Sequence, residues 1–277
     1  MAGPVIVEGI GSAALLQAMD ENLWAFWRDY GRGPGAELHK GTDLRWFASG
    51  VPLAVFNGVP HVRLAEDGVG PALARIQASV SRRGVPAMWW VGPNSRPADL
   101  AARLELHGLT LARTMIGMAI ELGALDGEVA APTGLRIEHV RGPEMRRLWA
   151  RLFGEGSGFS GVAAQALADI EPNLPDADYL RKPRYIGFLS GRPVGTSVLV
   201  PAAGLAGVYA VSTIPDARGR GIGAAMTALP LIEARAQGYR MGILQATAMG
   251  HAVYRRLGLR DICEHRCYVQ PPAAENA

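Results

Sequence analysis

Residues 211–223 read Val211-Ser212-Thr213-Ile214-Pro215-Asp216-Ala217-Arg218-Gly219-Arg220-Gly221-Ile222-Gly223. The residues leading into this stretch, Ala206–Thr213, are small, apolar and β-branched, as a buried strand is. The residues after it, from about Gly223 to Gln237, read as a helix that Gly238 stops. The quoted run is therefore a strand end, a Gly/Arg loop and a helix start. Glycines there let the backbone approach a ligand, and the first amides of a helix have no partner within it. The helix dipole supplies about half a positive charge at that end. Arg218 and Arg220 add to it. Such a loop is an anion cradle, best matched to a pyrophosphate.

Two familiar phosphate loops do not fit. Gly219, Gly221 and Ala224 satisfy the G-x-G-x-x-G/A dinucleotide pattern. Only about fifty residues follow, too few for the further βαβ units of that fold, and the next strand, Met241–Gln245, does not end on an acidic residue. No Gly-Lys-Ser/Thr follows the loop, so it is not a P-loop.

Around the loop the chain reads as mixed α/β. Leu135–Val140 is a strand, and Pro143 opens a helix to Phe153. A polar Gly154–Gly161 segment and a short helix over Val162–Asp169 come next. Tyr185–Leu189 and Pro193–Val200 form a hairpin across Gly191-Arg192, and Pro201–Gly204 turns into the strand before the loop. Beyond the loop's helix lie a buried strand, Met241–Gln245, a helix over Gly250–Leu257 stopped by Gly258, and a last strand.

The first half follows a similar plan. A helical run over Ala13–Tyr30 leads to strands at Leu44–Ala48, Leu53–Asn57 and Pro60–Leu64. A helix from Asp67-Gly68 to Arg83, a strand at Ala87–Val91, a helix over Pro97–Leu106 and a strand over Arg113–Leu122 complete it. The punctuation aligns: Gly68-Val69-Gly70 with Gly221-Ile222-Gly223, Gly84 with Gly238, and His107-Gly108-Leu109 with Leu257-Gly258-Leu259, at offsets of about 150–155 residues. We expect two lobes of one ancestry: 1–123, a linker at 124–134, a second domain at 135–270, and a tail at 271–277.

Composition removes other classes. With 277 residues, 49% hydrophobic and 19% charged, the chain can pack a core and is not disordered. A net charge of +3 without a basic, aromatic-interleaved block gives no call for nucleic acid. Cys263 and Cys267 make neither a disulfide framework nor a zinc site, so no metal is expected and a reducing cytoplasm fits. The start lacks the basic and apolar regions of a signal peptide. Pro193–Pro215 is uncharged and long enough to span a bilayer, but its turn residues make it a hairpin. No membrane is called for.

The quoted run resembles the acyl-CoA loop of the GNAT superfamily of N-acetyltransferases, whose R/Q-x-x-G-x-G/A signature falls on Arg218, Gly221 and Gly223. Ala252-Val-Tyr254-Arg-Arg-Leu-Gly-Leu259 resembles the helix-then-strand element that carries the family's acid tyrosine. The resemblance covers Leu135–Val269; the first half resembles a second, degenerate lobe. It implies two lobes, each a twisted mixed sheet flanked by helices. It further implies acetyl transfer from acetyl-CoA to a primary amine by direct attack. Val211, Ser212 and Thr213 would receive the pantetheine arm in a gap beside Met241–Gln245, and the Val211 amide would polarise the thioester carbonyl. Amides of Arg218, Gly219, Arg220, Gly221, Ile222, Gly223 and Ala224 would hold the pyrophosphate. Tyr254, taken as an unperturbed phenol with a pKa near 10, would protonate the leaving thiolate.

The first lobe departs from the pattern. Glu66 and Asp67 stand where the cradle would be, and Leu104 matches Tyr254, so no CoA is expected there. The strand before the loop carries no carboxylate; a base could come from Glu155, Asp169 or Glu171 or through a water, and His251, one turn before Tyr254, is a further candidate for the cleft. Trp24, Phe26, Trp27, Trp89 and Trp90 read as core. The expected partners are acetyl-CoA and an amine, a small molecule first, with a homodimer permitted. A protein or peptide acceptor, or a non-catalytic acyl-CoA sensor, are the alternatives.

Overall fold

The computed structural model of the protein describes residues 11–33, 35–126 and 131–272. In chain order its helices and strands are α1 (Ala13–Trp27), β1 (Glu37–Lys40), β2 (Leu44–Ala48), β3 (Gly58–Val59), β4 (His61–Val62), α2 (Val69–Arg82), β5 (Ala87–Val91), α3 (Leu100–Leu106) and β6 (Thr110–Glu121). The second half gives β7 (Leu135–His139), α4 (Gly142–Ser157), α5 (Gly161–Ile170), α6 (Asp176–Arg181), β8 (Arg184–Leu189), β9 (Arg192–Ala202), β10 (Leu205–Thr213), α7 (Ile222–Ala236), β11 (Met241–Ala246), α8 (Ala248–Arg256) and β12 (Arg260–Gln270). The expected α/β class with helix-flanked mixed sheets holds.

By packing, the chain forms two compact units. One holds the residues up to Asn22 with Gly117–Ile262; the other holds Leu23–Ile116 with the residues from Cys263 on. This grouping does not follow the segments 1–123 and 135–270 set out from the sequence. Part of the expected linker, 127–130, and of the expected tail, 273–277, lies outside the described residues.

In the first unit the strands run β6, β11, β10, β9, β8, β7. β10 is parallel to β11 and antiparallel to β9, and β8 is antiparallel to both β9 and β7. Two helices cover opposite faces of β10 and β9. A Cβ added to Gly195 of β9 would meet Ile222 and Met226 of α7, whereas a Cβ added to Gly156 of α4 would meet Ser212 of β10. The β8–β9 turn is Ser190-Gly191, with φ +50° and +83°, one residue earlier than the expected Gly191-Arg192. β9 continues to Ala202, so the next turn is Ala203-Gly204 rather than Pro201–Gly204.

In the second unit β5 lies between β3, parallel, and β12, antiparallel. A separate antiparallel sheet runs β1, β2, β4. α2 buries Val69, Ala72, Leu73, Ile76 and Val80, the spacing of one helical face, in a core with Trp89, Leu104 and Tyr268. The aromatic residues read as core are buried. Leu53–Asn57 is not a strand: Ala54–Phe56 is a 3-10 turn organised by Asn57. The Asn57 side chain donates to the carbonyls of Val51 and Pro86 and accepts from the amides of Ser49 and Gly50. The hydrogen bonds of one buried side-chain amide outweigh the apolar pattern there.

The repeat appears as element order. α2-β5-α3-β6 and α7-β11-α8-β12 match, and the four stop glycines, Gly84, Gly108, Gly238 and Gly258, have φ of +61°, +82°, +91° and +92°. Sheet order adds what spacing cannot carry. β6, the last strand of the first half, lies beside β11, while β12, the last of the second, lies beside β5.

Candidate active site

The first unit builds the site from the ends of β10, α7 and α8. β10 ends at Thr213, a 3-10 turn over Pro215–Ala217 follows, and α7 begins at Ile222. Gly219 and Gly221 take φ of +74° and +80°, a region that a side chain would strain. The Ala225 amide is paired to the Gly221 carbonyl at 3.2 Å, so the amides at the very start of α7 lie ahead of its hydrogen-bond ladder. A cavity of about 440 Å³ opens over this helix terminus.

The structure brings nearly all the expected site residues together. Val211, Ser212, Thr213, Arg218, Gly219, Gly221, Ile222, Gly223, Ala224 and Tyr254 all line the cavity. Arg220 is exposed and outside the lining. The Arg218 side chain acts on the protein itself. Its Nε donates to the Thr213 carbonyl at 3.2 Å, and its Nη2 donates to the Gly156 carbonyl at 3.0 Å. Arg218 thus fastens the end of β10 to the end of α4 while keeping its charge at the cavity.

The expected gap concerns the end of β10 beside β11. β10 pairs with β11 at Ala206–Gly242 and Gly207–Ile243. Beyond those pairs, β10 breaks register with β9 between Tyr209 and Ser212. Ala210 sits at this bulge with φ +49°, a conformation costing a non-glycine residue about 1–2 kcal/mol. The bulge diverts β10, and Val211–Thr213 then face the cavity.

Tyr254 comes from α8, whose start is capped by Thr247: its Oγ1 accepts the Gly250 amide at 3.3 Å. A Cβ on Gly250 would fall 2.7 Å from the Tyr254 ring. Gly250 therefore keeps the surface of α8 free for the ring one turn on, a requirement that spacing alone does not announce. Burial pushes the Tyr254 phenol up to about 12. This corrects the expectation of an unperturbed phenol near 10. Thr227 donates to the Gly223 carbonyl at 2.8 Å.

None of the four candidate bases lines the cavity. Glu171 is buried, forms an ion pair with Arg184 at 3.0 Å and accepts from the Tyr179 hydroxyl at 2.7 Å. His251 Nε2 lies 2.8 Å from Asp261, Asp169 accepts from Gln165, and Glu155 is exposed. The strand position Gly207 has no room for a side chain, because Asn22 Oδ1 occupies the place of its Cβ. Asn22 is held there by donating to the Val200 and Ala202 carbonyls and accepting from Tyr209. Among the described residues, the ionisable side chains of the lining are Arg218, Tyr254 and Arg256. No group of three or more His, Cys, Asp or Glu among the described residues could hold a metal.

Comparison with known proteins follows the same lines. No protein-family model matches the chain. The mycothiol acetyltransferase of Mycolicibacterium paratuberculosis is 30% identical over 241 residues, covering 78% of this chain and 73% of that protein. The mycothiol acetyltransferase of Mycobacterium avium shows the same identity and coverage. A GCN5-related N-acetyltransferase from Kribbella flavida superposes with a TM-score of 0.66 at 19% identity, over 92% of this chain and 97% of that one. The chain belongs to the GNAT superfamily of N-acetyltransferases. As a GNAT protein it is an acyltransferase, so the reading as a non-catalytic sensor is set aside. A tandem GNAT protein from the clavulanic acid biosynthesis pathway shares its fold, with a TM-score of 0.58 at 14% identity over 95% of each chain. Among the described residues, no helix is long and apolar enough to cross a membrane.

Proposed function

We propose that this GNAT protein moves the acetyl group of acetyl-CoA onto the primary amine of a small molecule, and that the cavity over the start of α7 is the donor site. The observation that carries this reading is one cavity wall holding the α7 terminus, the diverted end of β10 and Tyr254. The amides of Gly219 to Ala224 take the pyrophosphate, with Arg218 and Arg220 adding charge; the Arg218 amide, expected among them, is instead paired to the Pro215 carbonyl at 3.3 Å. The pantetheine arm runs along Val211–Thr213, and the Val211 amide meets the thioester carbonyl, stabilising the oxyanion as the amine nitrogen attacks. As the C–S bond breaks, the Tyr254 hydroxyl hydrogen-bonds to and then protonates the thiolate. The phenol, raised to about 12, is protonated through neutral pH and is a weaker acid than a free phenol, so it gives up its proton only as charge develops on the leaving sulfur.

With no carboxylate or imidazole in the lining, the amine enters as its free base and sheds its proton to water after attack. The relatives named for mycothiol support a small-molecule acceptor over a peptide. Segment 135–270 carries the donor site, with the Glu66-Asp67 loop of 1–123 unsuited to a pyrophosphate.

Tyr254→Phe tests the assignment. Turnover with a panel of primary amines should fall by about 10²-fold or more, while the Kd for CoA changes less than about threefold. Undiminished turnover would remove Tyr254 as the acid, and lost CoA binding would make it a binding residue.

A further inference from the structure

The peptide unit between Ala210 and Val211 is held from one side by a residue of the neighbouring strand. Thr196 of β9 is fully buried, and its hydroxyl donates to the Ala210 carbonyl at 2.9 Å. A threonine hydroxyl has one proton to give. The second contact, 2.8 Å between Thr196 Oγ1 and Ser212 Oγ, is therefore donated by Ser212. The two residues flanking Val211 are thus tied to one side chain.

Geometry gives this tie a consequence. The Ala210 carbonyl and the Val211 N–H belong to one planar trans peptide and point in opposite directions. β10 lies between β9 and β11. Fixing the carbonyl toward Thr196 on β9 therefore turns the Val211 N–H to the other edge of β10, where the ladder with β11 has ended after Gly207 and Ile243. Regular strand pairing does not set this orientation, because the register breaks between Tyr209 and Ser212 and Ala210 stands at φ +49°.

We propose that Thr196 is a positioning residue: its hydroxyl, through the Ala210 carbonyl, aims the Val211 amide at the thioester carbonyl of the donor. The proposal rests on the donor-site reading above, and the test separates the two. Acetyl-CoA labelled with ¹³C at the carbonyl is bound to the protein, and the isotope-edited infrared carbonyl stretch is recorded. A hydrogen bond from Val211 lowers that frequency relative to free acetyl-CoA. Thr196→Val, which keeps shape and loses the hydroxyl, should abolish at least half of the shift, with the Kd for acetyl-CoA within about threefold of wild type. Thr196→Ser should retain the shift. With an accepted amine, kcat should drop at least tenfold in Thr196→Val while KM for acetyl-CoA holds, in line with loss of an oxyanion donor. Thr196→Ala provides a second hydroxyl-free variant should Thr196→Val not fold, and it must show the same loss. A full shift in either folded hydroxyl-free variant overturns the role of Thr196. A wild-type complex with no shift overturns the reading of the Val211 amide itself.

Discussion

Tyr254 shows how much of this site depends on what surrounds a residue. Its ring has a place because Gly250, one turn earlier, leaves 2.7 Å where a Cβ would stand. Its acidity follows from burial, which raises the phenol to about 12. The sign of that shift matters for pH. Below pH 10 the phenol is protonated both in the folded protein and in the unfolded chain, so its contribution to stability is constant. Between 10 and 12 the unfolded phenol ionises while the folded one does not, and that contribution is lost as pH rises. In the working range Tyr254 therefore gives no alkaline fall in activity. In the proposed reaction the amine enters as its free base, so its own ionisation sets the pH dependence. We expect kcat/KM to rise about tenfold per pH unit below the acceptor's pKa and level off there. A bell-shaped profile with an enzyme-derived acidic limb near pH 6, the same for two amines of different pKa, would show a general base that the account lacks.

At the scale of elements, the loop into α7 combines backbone donors and charge. Gly219 and Gly221 at φ +74° and +80° turn the chain so that the helix start faces the cavity. Arg220 is exposed beside it, whereas Arg218 is committed to the Thr213 and Gly156 carbonyls. The two arginines should therefore respond differently. Arg220→Glu replaces an attractive charge with a repulsive one, and we expect the Kd for CoA to rise at least tenfold in low salt. The difference should shrink as ionic strength rises and the charge is screened. Titration calorimetry at two salt concentrations checks this; unchanged affinity at low salt would move the pyrophosphate elsewhere. The loop was legible in the sequence because its glycines, arginines and helix stop are local signals. The bulge at Ala210 was not: Val208-Tyr209-Ala210-Val211 reads as unbroken strand, and the Ala210 carbonyl finds its partner in Thr196, fourteen residues away on another strand. The missing base shows the same limit. The sequence shows that the strand has no carboxylate, and the structure adds that Asn22 occupies the space a side chain at Gly207 would need.

Across the whole molecule, the sequence showed duplication through glycines at matching offsets, and the matching element orders agree with it. It did not show where the halves end in space. The packing units take β6 beside β11 and β12 beside β5, pairings between strands more than a hundred residues apart that no local pattern encodes. The half-exposed β1 and the short α6, which carry little apolar periodicity, also escaped the sequence reading. The proposed donor site lies in the unit containing Gly117–Ile262. A crystal structure of the full chain with acetyl-CoA tests that claim most directly. The account predicts the pyrophosphate on the amides of Gly219–Ala224 and the thioester carbonyl within hydrogen-bond distance of the Val211 nitrogen. Acetyl-CoA bound away from the α7 terminus, or seated there with its thioester carbonyl turned from Val211, would contradict it.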